Sequence, residues 1–234
     1  AFAAQAAAAL TADEMIAKYF AAVGGLEKYS NVQSMKMTGK VQVMGMELPF
    51  TMAQKRPNKM YIESDFQGAK ILQVFDGEHG WMVNPMMGTT DPQPMPGLQE
   101  KAFALQADID GPLIDWKAKG YTLEVLEDGD VEGTPAHRLR VETGQGITLT
   151  LFFEKDSFLL IKQTSHLKQD EEEFEQDTFM SDYKDFPDLP NSTPMECQRA
   201  LKPPLLLTSY WKAASLCICS PPNPGALRSC LRSC

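Results

Sequence analysis

The spacing of apolar residues changes from helical to strand-like within the first forty positions. Met15, Ile16, Tyr19, Phe20 and Val23 recur as on one face of a helix. Thr11-Ala-Asp-Glu14 forms a capping box ahead of them, Leu10 and Met15 can staple the entry, and Gly24-Gly25 supplies the stop. From residue 34 the period becomes two. Met35, Met37, Val41 and Val43 alternate with Lys36, Thr38, Lys40 and Gln42, as a strand with one wet face requires. Leu48, Phe50 and Met52 continue the alternation after a turn near Gly45, and Met60, Ile62 and Phe66 alternate with Tyr61, Glu63 and Asp65. Residues 69–75 and 80–83 form the next pair, joined by an Asp76-Gly77-Glu78 turn.

The rhythm then breaks. Four prolines between Pro85 and Gly97 predict an irregular segment, followed by short helices over 98–107 and 112–119, the second with Pro112 in its first turn. Strands resume over 121–126, 136–142, 147–154, 159–166 and 171–183, separated by Gly-containing turns. About ten closely spaced strands with helices at the start and middle predict a mainly β fold with α. The expected form is a curved antiparallel sheet, an unclosed β-barrel whose concave face is covered or filled by helices.

Two ends of the chain differ from this middle. Residues 1–10 are small and Ala-rich, with A-x-A arrays that suit the end of a secretory signal or a flexible leader. Residues 11–186 form the β domain. From about 187 the alternation stops: the last 45 residues hold one acidic residue, five basic ones, seven prolines and all five cysteines. A disordered extension or an out-of-frame stretch is expected there. Translation in the other two frames would test the second idea, and no strand-like continuation in either would sink it.

Charge and chemistry narrow the function by exclusion. A formal net charge of -9 offers a nucleic-acid backbone no counter-cations. The longest apolar run, Leu205 to Cys219, is too short for a bilayer span and contains Lys212. Residues 1–196 contain no cysteine, which is compatible with an oxidising compartment. The three histidines, His79, His137 and His166, fall on separate strands or turns and suit solvated surfaces. No nucleophile elbow, zincin helix or phosphate loop is present. Asp108, Asp110 and Asp115 could form part of a calcium loop, but its later bidentate acid is missing and capping of a helix at Pro112 explains them equally. No catalytic residue, metal site or cofactor is therefore assigned.

Pliable apolar material is abundant instead. Ten of the 13 methionines lie between residues 35 and 95. Methionine repacks readily around ligands of variable shape, and it also fills ordinary cores.

The stretch Lys55-Arg-Pro-Asn-Lys-Met60, followed by Phe75-Asp-Gly-Glu-His-Gly-Trp-Met-Val-Asn-Pro85, resembles the periplasmic lipoprotein carriers and outer-membrane lipoprotein-sorting proteins. These show an R-P-N segment opening a strand, then a D-G-x-x-x-W-x-x-x-P hairpin about twenty residues on. The opening T-A-D-E-M-I-A-K-Y helix with its Gly-Gly stop is also similar, so the resemblance spans roughly residues 11 to 186.

The resemblance implies an unclosed barrel lidded by helices, a periplasmic location, and acyl chains of lipids or lipoproteins as cargo, with no cofactor. Inner- and outer-membrane sorting components are the partners it suggests. It implies that Arg56 sits at the mouth and holds the lid through hydrogen bonds to lid backbone; a surface arginine beside a strand-opening proline is the plainer alternative. The acyl-chain cavity is expected to be lined by Phe50, Met52, Met60, Ile62, Phe66, Phe75 and Trp81, with Trp81 at the rim or as a core anchor. The leading expectation is a monomeric, non-enzymatic carrier. An envelope sensor or interaction module on the same scaffold is the second, and a hydrolase with an unrecognised carboxylate pair the third.

Overall fold

The computed structural model describes residues 10–43, 46–144, 146–169, 172–184, 193–201 and 208–219. The expected leader and the turn near Gly45 lie, but for residue 10, outside them. Helix α1 (Ala12–Ala22) begins at Thr11 with both halves of the capping box in place, the Thr11 hydroxyl accepting from the Glu14 amide. It ends before Gly24 and Gly25, both at positive φ. A six-residue helix, α2 (Leu26–Asn31), follows; it is too short for its periodicity to be read in sequence.

The first meander comprises β1 (Ser34–Val43), β2 (Met46–Lys55), β3 (Lys59–Phe66), β4 (Ala69–Phe75) and β5 (Gly80–Asn84). Residues 85–94, expected to be irregular, form a 3₁₀ turn and a strand, β6 (Thr89–Pro94). Proline cannot donate to a ladder, so Pro92 and Pro94 are tolerated because β6 is the edge of the sheet. Helix α3 (Gly97–Ala107) forms where the sequence predicts it. The second predicted helix does not form: 109–120 is a run of turns, with Asp115 at φ 52°. A left-handed residue there stops helical bonding from propagating.

The second meander is β7 (Thr122–Val131), β8 (Thr134–Glu142), β9 (Ile147–Glu154), β10 (Leu160–Gln169) and β11 (Glu172–Lys184). The tail departs from expectation. Its described backbone pairs as β12 (Thr193–Leu201) and β13 (Thr208–Cys219) instead of leaving the sheet. β12 lies against β11, and β13 bridges β12 to β1.

All thirteen strands form one antiparallel sheet in the order β6-β5-β4-β3-β2-β1-β13-β12-β11-β10-β9-β8-β7, and β6 and β7 do not meet. Its curvature follows from α3, which touches β3, β4 and β5 as well as β10. β4 and β10 are seven steps apart in the order. A flat sheet would separate them by roughly 33 Å, whereas an eleven-residue helix is about 16 Å long and about 10 Å across. The sheet therefore wraps around α3, as an open barrel.

Two cores line the wrapped face. In the larger, α1 packs Met15, Phe20 and Val23 against Leu139, Val141, Leu149, Leu151 and Phe153 of β8 and β9. Burial along β9 alternates strictly, which holds its register. The smaller core joins Met60, Phe75 and Met95 to Phe103 and Ala107 of α3. No helix among the described residues is long and apolar enough to cross a membrane.

Gly146 turns the chain into β9 at φ +79°, where an added Cβ would lie 2.6 Å from the Lys168 carbonyl oxygen. Gly146→Ala is expected to destabilise the domain by about 2 kcal/mol. In a chain of this size that lowers Tm by roughly 4–8 °C; an unchanged calorimetric Tm would contradict this close approach.

Candidate functional site

Cross-strand register assigns the wrapped face residue by residue. Met52 of β2 faces Ile62 of β3, Gln54 faces Met60, and Phe50 faces Ser64. Met60 in turn faces Phe75, and Phe75 faces Gly80. Gly80 is the residue that lets α3's approach segment close down: a Cβ there would meet the Met95 sulfur at 2.8 Å.

Of the residues expected to line a cavity, Met60 and Phe75 are buried in contact with α3, and Met52 and Ile62 pack against that cluster. Phe50 and Phe66 share the face by alternation and are half-buried. Trp81 does not belong with them. Because Gly80 occupies the inner position opposite Phe75, Trp81 pairs with Val74 on the outer face and is 39% exposed. The methionines divide likewise. Met37, Met60 and Met95 are buried and Met52 and Met82 pack beside them, whereas Met46 and Met86 are exposed.

Arg56 lies in the β2–β3 turn and makes the densest polar contacts of the site. Its Nε donates to the Val32 carbonyl at 2.6 Å, and its guanidinium grips the Asp110 carboxylate through both terminal nitrogens. The carbonyl it holds thus belongs to the segment before β1, and the chain after α3 is engaged through the Asp110 carboxylate. Asp110 raises the Arg56 pKa still further, mainly through these hydrogen bonds. The lid carbonyl is taken by another residue: Gln54 Nε2 donates to Gln106 O at 2.6 Å. At the other end of α3, Glu100 accepts from the Gly80 amide at 2.7 Å. Lys119 joins Asp108 to the Gly111 carbonyl, closing the turns that follow α3.

These contacts settle how the acids are used. Asp108 and Asp110 are engaged by Lys119 and Arg56, and Asp115 is exposed in its turn. His79 and His166 are largely exposed beside Glu100 and Glu175, whereas His137, expected on a wet surface, stacks on Phe158 and binds Asp128. Gln54 and Glu100 carry no motif, and Asp110 stood out only as part of a calcium-loop-like run; their convergence on α3 and the turns after it identifies their role.

Helix α3 has the marks of a separable element. Pro96 at its N-cap provides no side-chain cap, and no basic residue lies in its last turn. A helix of eleven residues without caps depends on its tertiary contacts. One side, with Phe103 and Ala107, is seated on the first meander. The other borders an open cavity of about 200 Å³ against the second meander, whose apolar wall includes Leu105, Ile147, Leu149 and Leu167. The empty space thus lies across α3 from the methionine-rich face.

The outer face carries Tyr61, which donates to Glu63, itself bound by Lys70. Burial, then the Glu63 hydrogen bond, pushes the Tyr61 pKa up to about 12. An unfolded tyrosine ionises near pH 10. The stabilisation is thus present below about pH 10 and is lost as pH rises through about 12. Tyr61→Phe should flatten this alkaline loss in denaturation midpoints; an identical slope in both proteins would rule it out.

No family model matches the chain, and no curated protein matches it. Solved structures do. An outer membrane lipoprotein-sorting protein domain from Vibrio parahaemolyticus aligns over 88% of this chain and 94% of its own, with TM-score 0.52 and 9% identity. A LolA superfamily protein from Nitrosomonas europaea aligns over 92% and 96%, with TM-score 0.58 and 9% identity. A DUF1329 family protein from Desulfovibrio piger aligns over 92% and 95%, with TM-score 0.56 and 12% identity. At these identities the shared property is the fold.

Proposed function

We propose that this protein binds the acyl chains of lipids or lipoproteins between its wrapped sheet and α3, and carries them through the periplasm towards the outer membrane. The observation that carries this reading is α3 itself: an uncapped helix over a methionine-rich face, beside a cavity, fastened by a few side-chain bonds. The shared fold with a lipoprotein-sorting domain supports the same reading.

The energetics favour exchange. Burial of Phe103 is worth about 1.5–3 kcal/mol. An acyl chain gains roughly 0.8 kcal/mol per buried methylene, so about four methylenes replace that contact. A long chain can therefore displace α3, while Gln54, Arg56 and Glu100 favour its return. Binding is reversible and involves no covalent step. Met52, Met60, Ile62 and Phe75 receive the chain when α3 lifts, with Phe50 and Phe66 extending the groove.

Native mass spectrometry of the purified protein, with lipid extraction, tests the proposal. A stoichiometric acyl lipid or acylated peptide is the expected finding. A protein that arrives empty and takes up no added lipid would instead favour an envelope interaction module.

A further inference from the structure

The cavity beside α3 has two kinds of wall. Beside its apolar residues, on the same sheet face, β10 contributes Gln163 and Ser165, and β11 contributes Gln176 and Thr178. Register explains their grouping, since Gln163 faces Thr178 and Ser165 faces Gln176 across the two strands. Gln163 Nε2 donates to Ser165 Oγ at 3.2 Å, while the Gln176 amide and Thr178 hydroxyl have no side-chain hydrogen bond among the described residues. The only ionised group on the described lining is Asp108, an acid already held by Lys119. Two amides and two hydroxyls supply donors and acceptors without charge.

We infer that this polar floor is a head-group site for uncharged, hydrogen-bonding amphiphiles, those bearing glycerol hydroxyl, ester or amide groups, and that it discriminates against phosphate-bearing lipids. The inference rests on the carrier reading and deepens it. At about 200 Å³ the cavity is smaller than the roughly 300–1,000 Å³ of pockets that enclose a whole ligand, so it accepts one part of an amphiphile. Its Leu105, Ile147, Leu149 and Leu167 side flanks α3, so a chain that lifts the helix off the methionine-rich face starts from beside these residues. A phosphate placed on the floor would be desolvated beside the Asp108 carboxylate, and the cation at that rim, Lys119, is already committed to Asp108 and the Gly111 carbonyl. Hydroxyls, esters and amides exchange water for the floor's own groups.

The test is competition against an uncharged fluorescent acyl probe, the methyl ester of dansyl-undecanoic acid, on the full chain. The competitors are 1-monooleoylglycerol and oleoyl lysophosphatidic acid, which share a chain and differ in charge. The wild type should bind the glycerol lipid at least tenfold more tightly. Gln163→Met/Gln176→Met keeps side-chain shape, removes both amides, and should narrow the ratio to within about threefold. Ser165→Ala is a milder variant that should reduce it by about half and carries the test if the double variant does not fold. Equal affinities in the wild type, a preference for the phosphate lipid, or a ratio unmoved by the variants would overturn the head-group site. If the probe binds but neither lipid displaces it, the site alone is wrong; if the probe does not bind, the carrier reading falls with it.

Discussion

Arg56→Leu is expected to loosen α3 and the turns behind it by about 2–3 kcal/mol, without unfolding the sheet. The substitution removes the two-pronged grip on Asp110 and the bond to the Val32 carbonyl, and it leaves a carboxylate only 24% exposed without its cation. Losing one partner of a largely buried pair costs far more than an exposed pair contributes, because the remaining charge is stranded. Amide exchange over 97–112 should therefore accelerate roughly thirtyfold or more, since about 1.4 kcal/mol is a factor of ten. Exchange in β8 and β9 should stay slow. Arg56→Leu/Asp110→Leu should recover part of the loss, because the pair leaves together. If exchange in α3 is unaffected, the ion pair does not hold the helix; if the double variant is worse than either single one by simple addition, stranded charge is the wrong cause.

The second large effect separates the two cores. Phe153 is fully buried on β9, with the Tyr19 ring 5.3 Å away, and belongs to the cluster that fixes α1 to the second meander. Phe153→Ala should cost about 3–5 kcal/mol. Tm then falls by roughly 6–20 °C, with one cooperative transition. Phe103→Ala removes a comparable ring from the smaller core, but α3 can lift while the strands stay paired. It should change acyl-probe binding and α3 exchange while shifting Tm much less than Phe153→Ala. Equal Tm shifts in the two variants would show that α3 unfolds with the sheet and would remove the basis for a separable lid. Local openings of this kind belong to the low-stability end of a protein's spectrum, where binding elements are found.

Legibility followed physical locality. The capping box at Thr11 and the alternation in β1 to β5 and β7 to β11 are short-range signals, and the structure contains each of those elements. β6 was hidden because two prolines in six residues signal a loop unless the strand is known to be an edge. The helix expected after Pro112 failed because Asp115 adopts a left-handed conformation, which no local pattern reveals. At the site, Arg56 stood out through its motif, but Asp110 lies 54 residues away and only folding brings them together. Trp81, expected at the rim or as a core anchor, falls on the outer face because the β4–β5 register sets Gly80, not Trp81, opposite the inward Phe75, and that register is not written in the local pattern. The polar floor was invisible for a different reason. Gln163 and Ser165 alternate with Lys162 and Thr164, so neither face of β10 reads as apolar, and only the third dimension shows which one is enclosed.

The strand order also governs how the chain can assemble. Every neighbouring pair in the sheet is consecutive in sequence except one, β1 with β13. The consecutive hairpins close short loops, whereas the β1–β13 seam joins Ser34 to Cys219 and Val43 to Ser209, across most of the chain. Contacts between distant residues form slowly, because loop closure must precede any reward. Two meanders can thus pair their own strands before the seam, together with the equally long-range docking of α1 on β8 and β9, unites them. Until then β1 is an open edge bearing Met35 and Met37, so the interval before closure is when a newly made chain is most exposed to pairing with another copy.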